Sequence, residues 1–165
     1  MPITPFHFGP GAAIHALAPR HISFIGFVAA NVIIDLEPLY FILTDQYPLH
    51  RFFHSYIGAS VILLAAPVVF IAARRLAARF WLPNLFGWQQ LRAWPVTLGA
   101  AAGVYSHIVF DSIMHGDMRP FAPFSDANPL LRIISLGTLE LSCVAAGLIG
   151  LAILGARKLA AKNAE

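Results

Sequence analysis

Charge is scarce in this chain. Of 165 residues only 11 are Lys or Arg and 8 are Asp or Glu, 12% in all, against the ~25% of ordinary soluble domains. With a mean hydropathy of +0.71, that excludes an ordinary soluble globule. Cysteine is almost absent: Cys143 stands alone inside an apolar run, so there is no intrachain disulfide and no thiolate-based zinc site. The formal charge of +3 and pI near 9.4 reflect few acids and clustered Arg and Lys. No basic stripe on a soluble scaffold accompanies them, so no nucleic-acid partner is expected. The N-terminus lacks a basic region ahead of its first apolar stretch, and no cleavable signal peptide is expected. No internal repeat or low-complexity segment is visible.

Long apolar runs fill the space that charge leaves. A span needs about 20 mostly apolar residues, and four segments qualify: His21 to Leu43, Ser55 to Ala73, Pro95 to about Met114, and about Ile133 to Ala156. Pro95 suits a first helical turn. Pro67 falls inside the second run and is expected to kink it. Ahead of them, Phe6 to Ala18 is apolar but too short to span, and reads as a half-length or re-entrant helix packed on the bundle. The expected fold is all-α: a single polytopic membrane bundle over residues 1–165, with about four transmembrane helices and this short N-terminal helix.

Basic residues orient it. Arg74, Arg75, Arg79 and Arg92 fall between the second and third runs, and Arg157, Lys158 and Lys162 follow the fourth. The positive-inside rule puts those segments in the cytoplasm of a bacterial inner membrane and the 44–54 and 117–132 loops in the periplasm. Trp81, Trp88 and Trp94 then anchor the cytoplasmic interface, with residues 79–93 lying along it. Gly99 and Gly103 form a GxxxG, and Gly147, Gly150 and Gly155 line the fourth run, the residue type that lets helices approach closely in lipid.

The polar residues converge on the other leaflet. Asp35 and Glu37 lie in the outer half of the first run, His50 and His54 flank the start of the second, and His107, Asp111 and His115 sit toward the outer end of the third. Glu140 enters the outer half of the fourth. Residues four apart share a helix face, so His50/His54 and His107/Asp111/His115 have the spacing of ligand pairs. Ionisable groups in hydrocarbon cost roughly 2.5–3.5 kcal/mol each on insertion scales and are rarely there without a task. Imidazoles with carboxylates suit zinc, and also manganese or iron. More than four candidates point to two metals, or to one metal with an acid/base pair. His15 and His21 read as interfacial, and Asp45, Asp117 and Asp126 as solvated loop acids. Hydropathy alone leaves open whether His7 lies on the cytoplasmic side or returns to the outer site. The Pro- and Phe-rich stretch from Arg119 reads as an ordered lid or an interfacial loop.

Four segments, in order over roughly residues 1–125, resemble the YdjM-like family of inner-membrane metal-dependent hydrolases. The Pro-Phe-His-Phe-Gly segment with His7 resembles its early histidine, and Ile34-Asp35-Leu36-Glu37-Pro38 resembles its paired-acid motif, with Glu37 as the second acid. His50-Arg51-Phe52-Phe53-His54-Ser55 resembles its H-R-G-x-T-H-S motif, without the Gly and Thr and one residue shorter. Ser106-His107-Ile108-Val109-Phe110-Asp111 resembles its S-H-x-x-x-D motif. The family is similar in turn to zinc-dependent phospholipase C and P1-type nucleases, helical enzymes whose metal clusters use an H-x-x-x-D helix. The resemblance implies that His7 joins the site, that His107 and Asp111 form its core, and that phosphoester hydrolysis is the chemistry.

The expected function is therefore hydrolysis of an ester or phosphoester, lipid-like or small, at the outer leaflet. One or two divalent metals, zinc first, would be held by His7, Asp35, His50, His54, His107, Asp111 and His115. Glu37 or Glu140 would be the general base or orient a ligand. The alternative is an ion or metal transporter or proton relay, since intramembrane acids and histidines also mark ion paths. No inverted repeat of the transporter kind is visible. A third reading makes the metal a structural staple of the bundle.

Overall fold

The computed structural model describes residues 5–164. Among them there are helices and no strands. A 3-10 turn, Pro5–His7, leads into α1 (Phe8–Leu17), followed by α2 (Phe24–Leu43), α3 (Tyr56–Arg79), α4 (Ala93–Met114) and α5 (Leu136–Lys162). A second 3-10 segment, Leu85–Gln90, joins α3 to α4. The last four α-helices are each long and apolar enough to cross a membrane, compatible with a multi-pass bundle.

Local chemistry sets the helix starts. Ser23, Ser55 and Ser135 each cap a helix by accepting a backbone N–H three residues on, from Gly26, Gly58 and Thr138. Such a cap is worth about 1 kcal/mol. Pro95 stands in the first turn of α4, where its missing N–H has no partner to lose. The basic residues that follow the second and fourth apolar runs do not end the helices. Arg74, Arg75 and Arg79 lie on α3, and Arg157, Lys158 and Lys162 on α5. They stop the apolar pattern, but Ala, Leu, Arg and Lys are all strong helix formers, so the backbone continues. α3 also runs through Pro67.

The helices form two parallel pairs with α3 laid across one of them. α2 and α4 pack side by side through glycines. A Cβ on Gly103 would sit 2.6 Å from the Phe27 carbonyl oxygen, and Gly26 and Gly99 press equally closely on Val96 and Ser23. The expected GxxxG contact is thus the α2–α4 seam. α1 lies along α5: Gly9 rests on the Cys143 carbonyl, Gly147 on Gly9 itself, and a Cβ on Gly150 would meet Ala12 at 2.7 Å, whereas Gly155 has open space. α3 packs on α4, where Ala59 and Ile62 join Ala30, Ile34, Ala100, Val104, Ile108 and Met118 in the core. At 10 residues, α1 is about 15 Å long and reaches only half-way through the bundle. It descends from the ends of α2 and α4 toward their starts, where Arg157 Nη2 donates to the Leu17 carbonyl.

Candidate metal centre

The α2–α4 seam aligns Asn31 and Asp35 with His107 and Asp111. All four are buried. Asn31 precedes Asp35 by four residues and His107 precedes Asp111 by four, so each helix offers two polar groups on one face. Asn31 Nδ2 donates to the Phe27 carbonyl at 2.9 Å, which turns its Oδ1 toward His107. His107 Nδ1 then donates to that oxygen at 2.9 Å. The neutral ring therefore carries its proton on Nδ1 and turns its Nε2 lone pair toward Asp35 Oδ1 at 3.3 Å and Asp111 Oδ2 at 3.1 Å.

Two more imidazoles are anchored in the same way. His54 Nδ1 donates to Glu37 Oε2 at 3.0 Å. His50 Nδ1 donates to Asp117 Oδ1 at 2.9 Å. Both carboxylates are themselves fixed by backbone N–H groups: Glu37 by Arg51 and Phe53, Asp117 by Leu49 and His50. Those bonds outweigh the upward push of burial and hold the Asp117 carboxyl below its ordinary pKa. The free Nε2 atoms of His50 and His54 each stand 3.7 Å from Asp111 Oδ2.

These two histidines are not the helical pair that their spacing suggested. Both precede α3, in the loop after α2, and a turn brings their rings to 4.7 Å. His115 likewise leaves the His107/Asp111 face. It is the α4 C-cap with extended backbone, and its ring stacks on His50 at 4.4 Å.

His7 completes the group. The turn before α1 drops it into the cluster, its ring edge-on to His107 at 4.9 Å and its Nε2 3.7 Å from Asp111 Oδ1. Burial pushes its pKa down to about 4 against the opposing pull of Asp111, and burial likewise lowers His54 and His115. His7 is thus a neutral donor near pH 7.

Two features of this geometry call for a cation. First, His7 Nδ1 and Nε2, Asp111 Oδ1, and Nε2 of His54, His107 and His115 are buried with no hydrogen-bond partner, although several lie beside a carboxylate. They are close but not aligned for hydrogen bonding. Second, Asp35 and Asp111 are buried with no Lys or Arg partner among the described residues, an arrangement that costs heavily unless a positive charge lies between them. Imidazole–carboxylate separations of 3.1–4.0 Å across the cluster bracket the ~3.3 Å between neighbouring ligands on a tetrahedron with 2.0–2.2 Å bonds. Asp35, His54, His107 and Asp111 together can hold a metal ion, and His50, Asp111 and His115 form a second such group. Asp111 belongs to both.

Glu140 is a correction. It has the right depth but the wrong azimuth: α5 turns Leu139 and Cys143 toward Ile113, leaving Glu140 exposed, with no hydrogen bond or ion pair to the cluster among the described residues. Asp117, expected to be a solvated loop acid, is instead the anchor of His50. Asn31, an amide inside the first apolar run, anchors His107. The loop from Arg119 is tied down. The Pro120 carbonyl accepts from Tyr56 N–H, and Asn128 Nδ2 donates to the Ser112 and His115 carbonyls, so it braces the end of α4 beside the cluster.

No family model matches this chain, and neither a curated protein nor a solved structure matches it.

Proposed function

We propose that this chain is a metal-dependent hydrolase of an ester or phosphoester, embedded in a bacterial inner membrane with its site toward the periplasmic leaflet. The observation that carries the reading is the triple anchoring. His50, His54 and His107 each spend Nδ1 on a fixed oxygen and turn Nε2 toward Asp111. Carboxylate or carbonyl oxygens on the far nitrogen are the usual support of metal-binding histidines, because they set the tautomer and raise basicity. A structural hydrogen-bond network would have used both nitrogens.

The donor set is oxygen and nitrogen without thiolate, which suits zinc and accommodates manganese or iron. Two ions sharing Asp111 use the two ligand groups more fully than one. A divalent metal here supplies Lewis acidity and brings water ionisation within reach of neutral pH, toward ~7. The chain's own residues do the rest. Asp111 and Asp35 supply the negative charge that retains the metal. Glu37 already accepts from His54 and two backbone N–H groups, which makes it a positioning residue rather than a free base. His7 and His115, unanchored through a carboxylate, complete the coordination or take up a proton. The resemblance to the YdjM-like family adds hydrolysis as the chemistry, and the basic ends of α3 and α5 support a cytoplasmic C-terminus.

The test is elemental analysis of detergent-purified protein, wild type beside His107→Ala, followed by a phosphoester screen of the loaded wild type. Stoichiometric zinc, manganese or iron that falls in the variant is expected. Protein that neither carries nor takes up metal would turn the cluster into a proton relay, and the hydrolase reading would be dropped.

A further inference from the structure

A groove of about 440 Å³ opens between α2 and α3. Both helices pack on α4 but barely touch each other. Gly26, Ala29 and Ile33 line it from α2, Val61, Ala65 and Val69 from α3, and Val96 and Ala100 form its floor. It runs from Phe53 at the cluster end to Ala73 and Trp88 at the other, and is almost wholly apolar. Small residues in lipid ordinarily let two helices close on each other. Here Ala29 and Ala65 stay exposed and hold a slot open along two spanning helices.

The slot's length suits one lipid tail. Val61 and Ala73 are 12 helical rises apart, about 18 Å, close to the ~15 Å of hydrocarbon in one leaflet. The groove's outer end also borders the candidate metal centre. Phe53, at its outer end, donates its N–H to Glu37, and the next residue is His54. Arg51, two residues earlier, holds its guanidinium over the Phe41 ring, 3.6 Å from the centroid, a cation at the same end for an anionic head.

We propose that the α2–α3 groove seats one acyl chain of a membrane phospholipid whose phosphate head lies at the His/Asp cluster, so that the substrate is a lipid phosphoester taken from the bilayer. The head's fate rests on the hydrolase reading above; the chain's seat rests on the groove alone. Lipid tails are as apolar as the groove, so seating the chain adds alignment more than affinity. The head is thereby held at the donors rather than left to diffuse in the leaflet.

Two measurements separate these parts. In vesicles of phosphatidylethanolamine and phosphatidylglycerol containing a diacyl phospholipid with a mid-chain diazirine, photolysis is expected to label groove peptides severalfold over the more exposed outer face of α5 at Leu148 and Leu151. Ala65→Phe, with unchanged metal content as its folding check, should abolish the excess. Uniform labelling overturns the seat, since that is ordinary surrounding lipid. In the second measurement, turnover of phosphoesters of rising chain length should improve with length in wild type. Ala65→Phe should lose at least fivefold on the longest ester and nothing on the shortest. Equal loss on both, or none on the longest, overturns the substrate role. If metal-loaded wild type turns over no member of the series, the hydrolase reading fails, and the labelling alone decides whether the groove is a lipid site.

Discussion

The Asn31 carboxamide fixes which nitrogen of His107 faces Asp111. Its nitrogen is held by the Phe27 carbonyl and its oxygen by His107 Nδ1, both at 2.9 Å, so the neutral imidazole presents a lone pair, not a proton, to the cluster.

Asn31→Leu should therefore weaken metal binding about 10–100-fold, the usual effect of losing a group that supports a ligand, although residue 31 touches no metal. Asn31→Asp keeps the acceptor and should bind within severalfold of wild type. Competition titration against a chelating dye measures both. Equal affinities for Leu and Asn would show that the tautomer is not set here.

Asp111 and His115 should differ in stoichiometry. Asp111→Asn removes a donor common to both ligand groups and should lose all bound metal. His115→Ala touches only the group with His50 and should lose the second ion alone. Metal-to-protein ratios decide it, and full occupancy in well-folded Asp111→Asn would sink the assignment.

Glu37→Gln distinguishes orientation from base catalysis. As a positioning residue, Glu37 should take metal affinity down with it, about tenfold or more, while excess metal restores much of the turnover. A general base would instead leave affinity intact and abolish kcat at saturating metal.

Acidification should destabilise the metal-free protein. His7 titrates at about 4 in the folded chain and near 6.5 when unfolded. Between those values the unfolded state binds more protons, so stability is fully present above pH 6.5 and is lost as pH falls toward 4. The His7 contribution is on the order of 3 kcal/mol, and the lowered His54 and His115 act in the same direction. Thermal melts in detergent at pH 7.5, 6 and 5 should show a falling Tm. His7→Phe should flatten that dependence.

Gly103→Ala should weaken the site without touching a ligand. Its Cβ would meet the Phe27 carbonyl at 2.6 Å and Asn31 Nδ2 at 2.9 Å. Overpacking of this kind costs about 1–3 kcal/mol and would also disturb the Asn31–His107 bond. The same substitution at Gly155, which has open space, should change neither Tm nor metal content.

How much of this was legible beforehand divides along physical lines. Apolar length located all four long helices, because a span must satisfy its backbone internally and so writes a continuous pattern. The His107/Asp111 pair was legible because both lie on one face of a regular helix. His50/His54 and His115 have the same spacing but irregular backbone, and periodicity says nothing about a loop. Glu140 shows that depth along a helix does not give azimuth, which depends on the neighbour α5 chooses. Asp117 reaches His50 across 67 residues, a long-range contact that no local pattern carries. Asn31 did leave a signal, four residues before Asp35, where an amide inside an apolar run needs a partner.

The seating of α1 sets an order of assembly. α1 delivers His7, yet its main neighbour is α5, which leaves the ribosome on the order of ten seconds later at ordinary rates of synthesis. α2, α3 and α4 can meet, and most of the donors can gather, while the first helix still lacks a berth. On the metal-centre reading, capture by the growing chain would be a two-step event, with a leaky early cage that the arrival of the last helix closes.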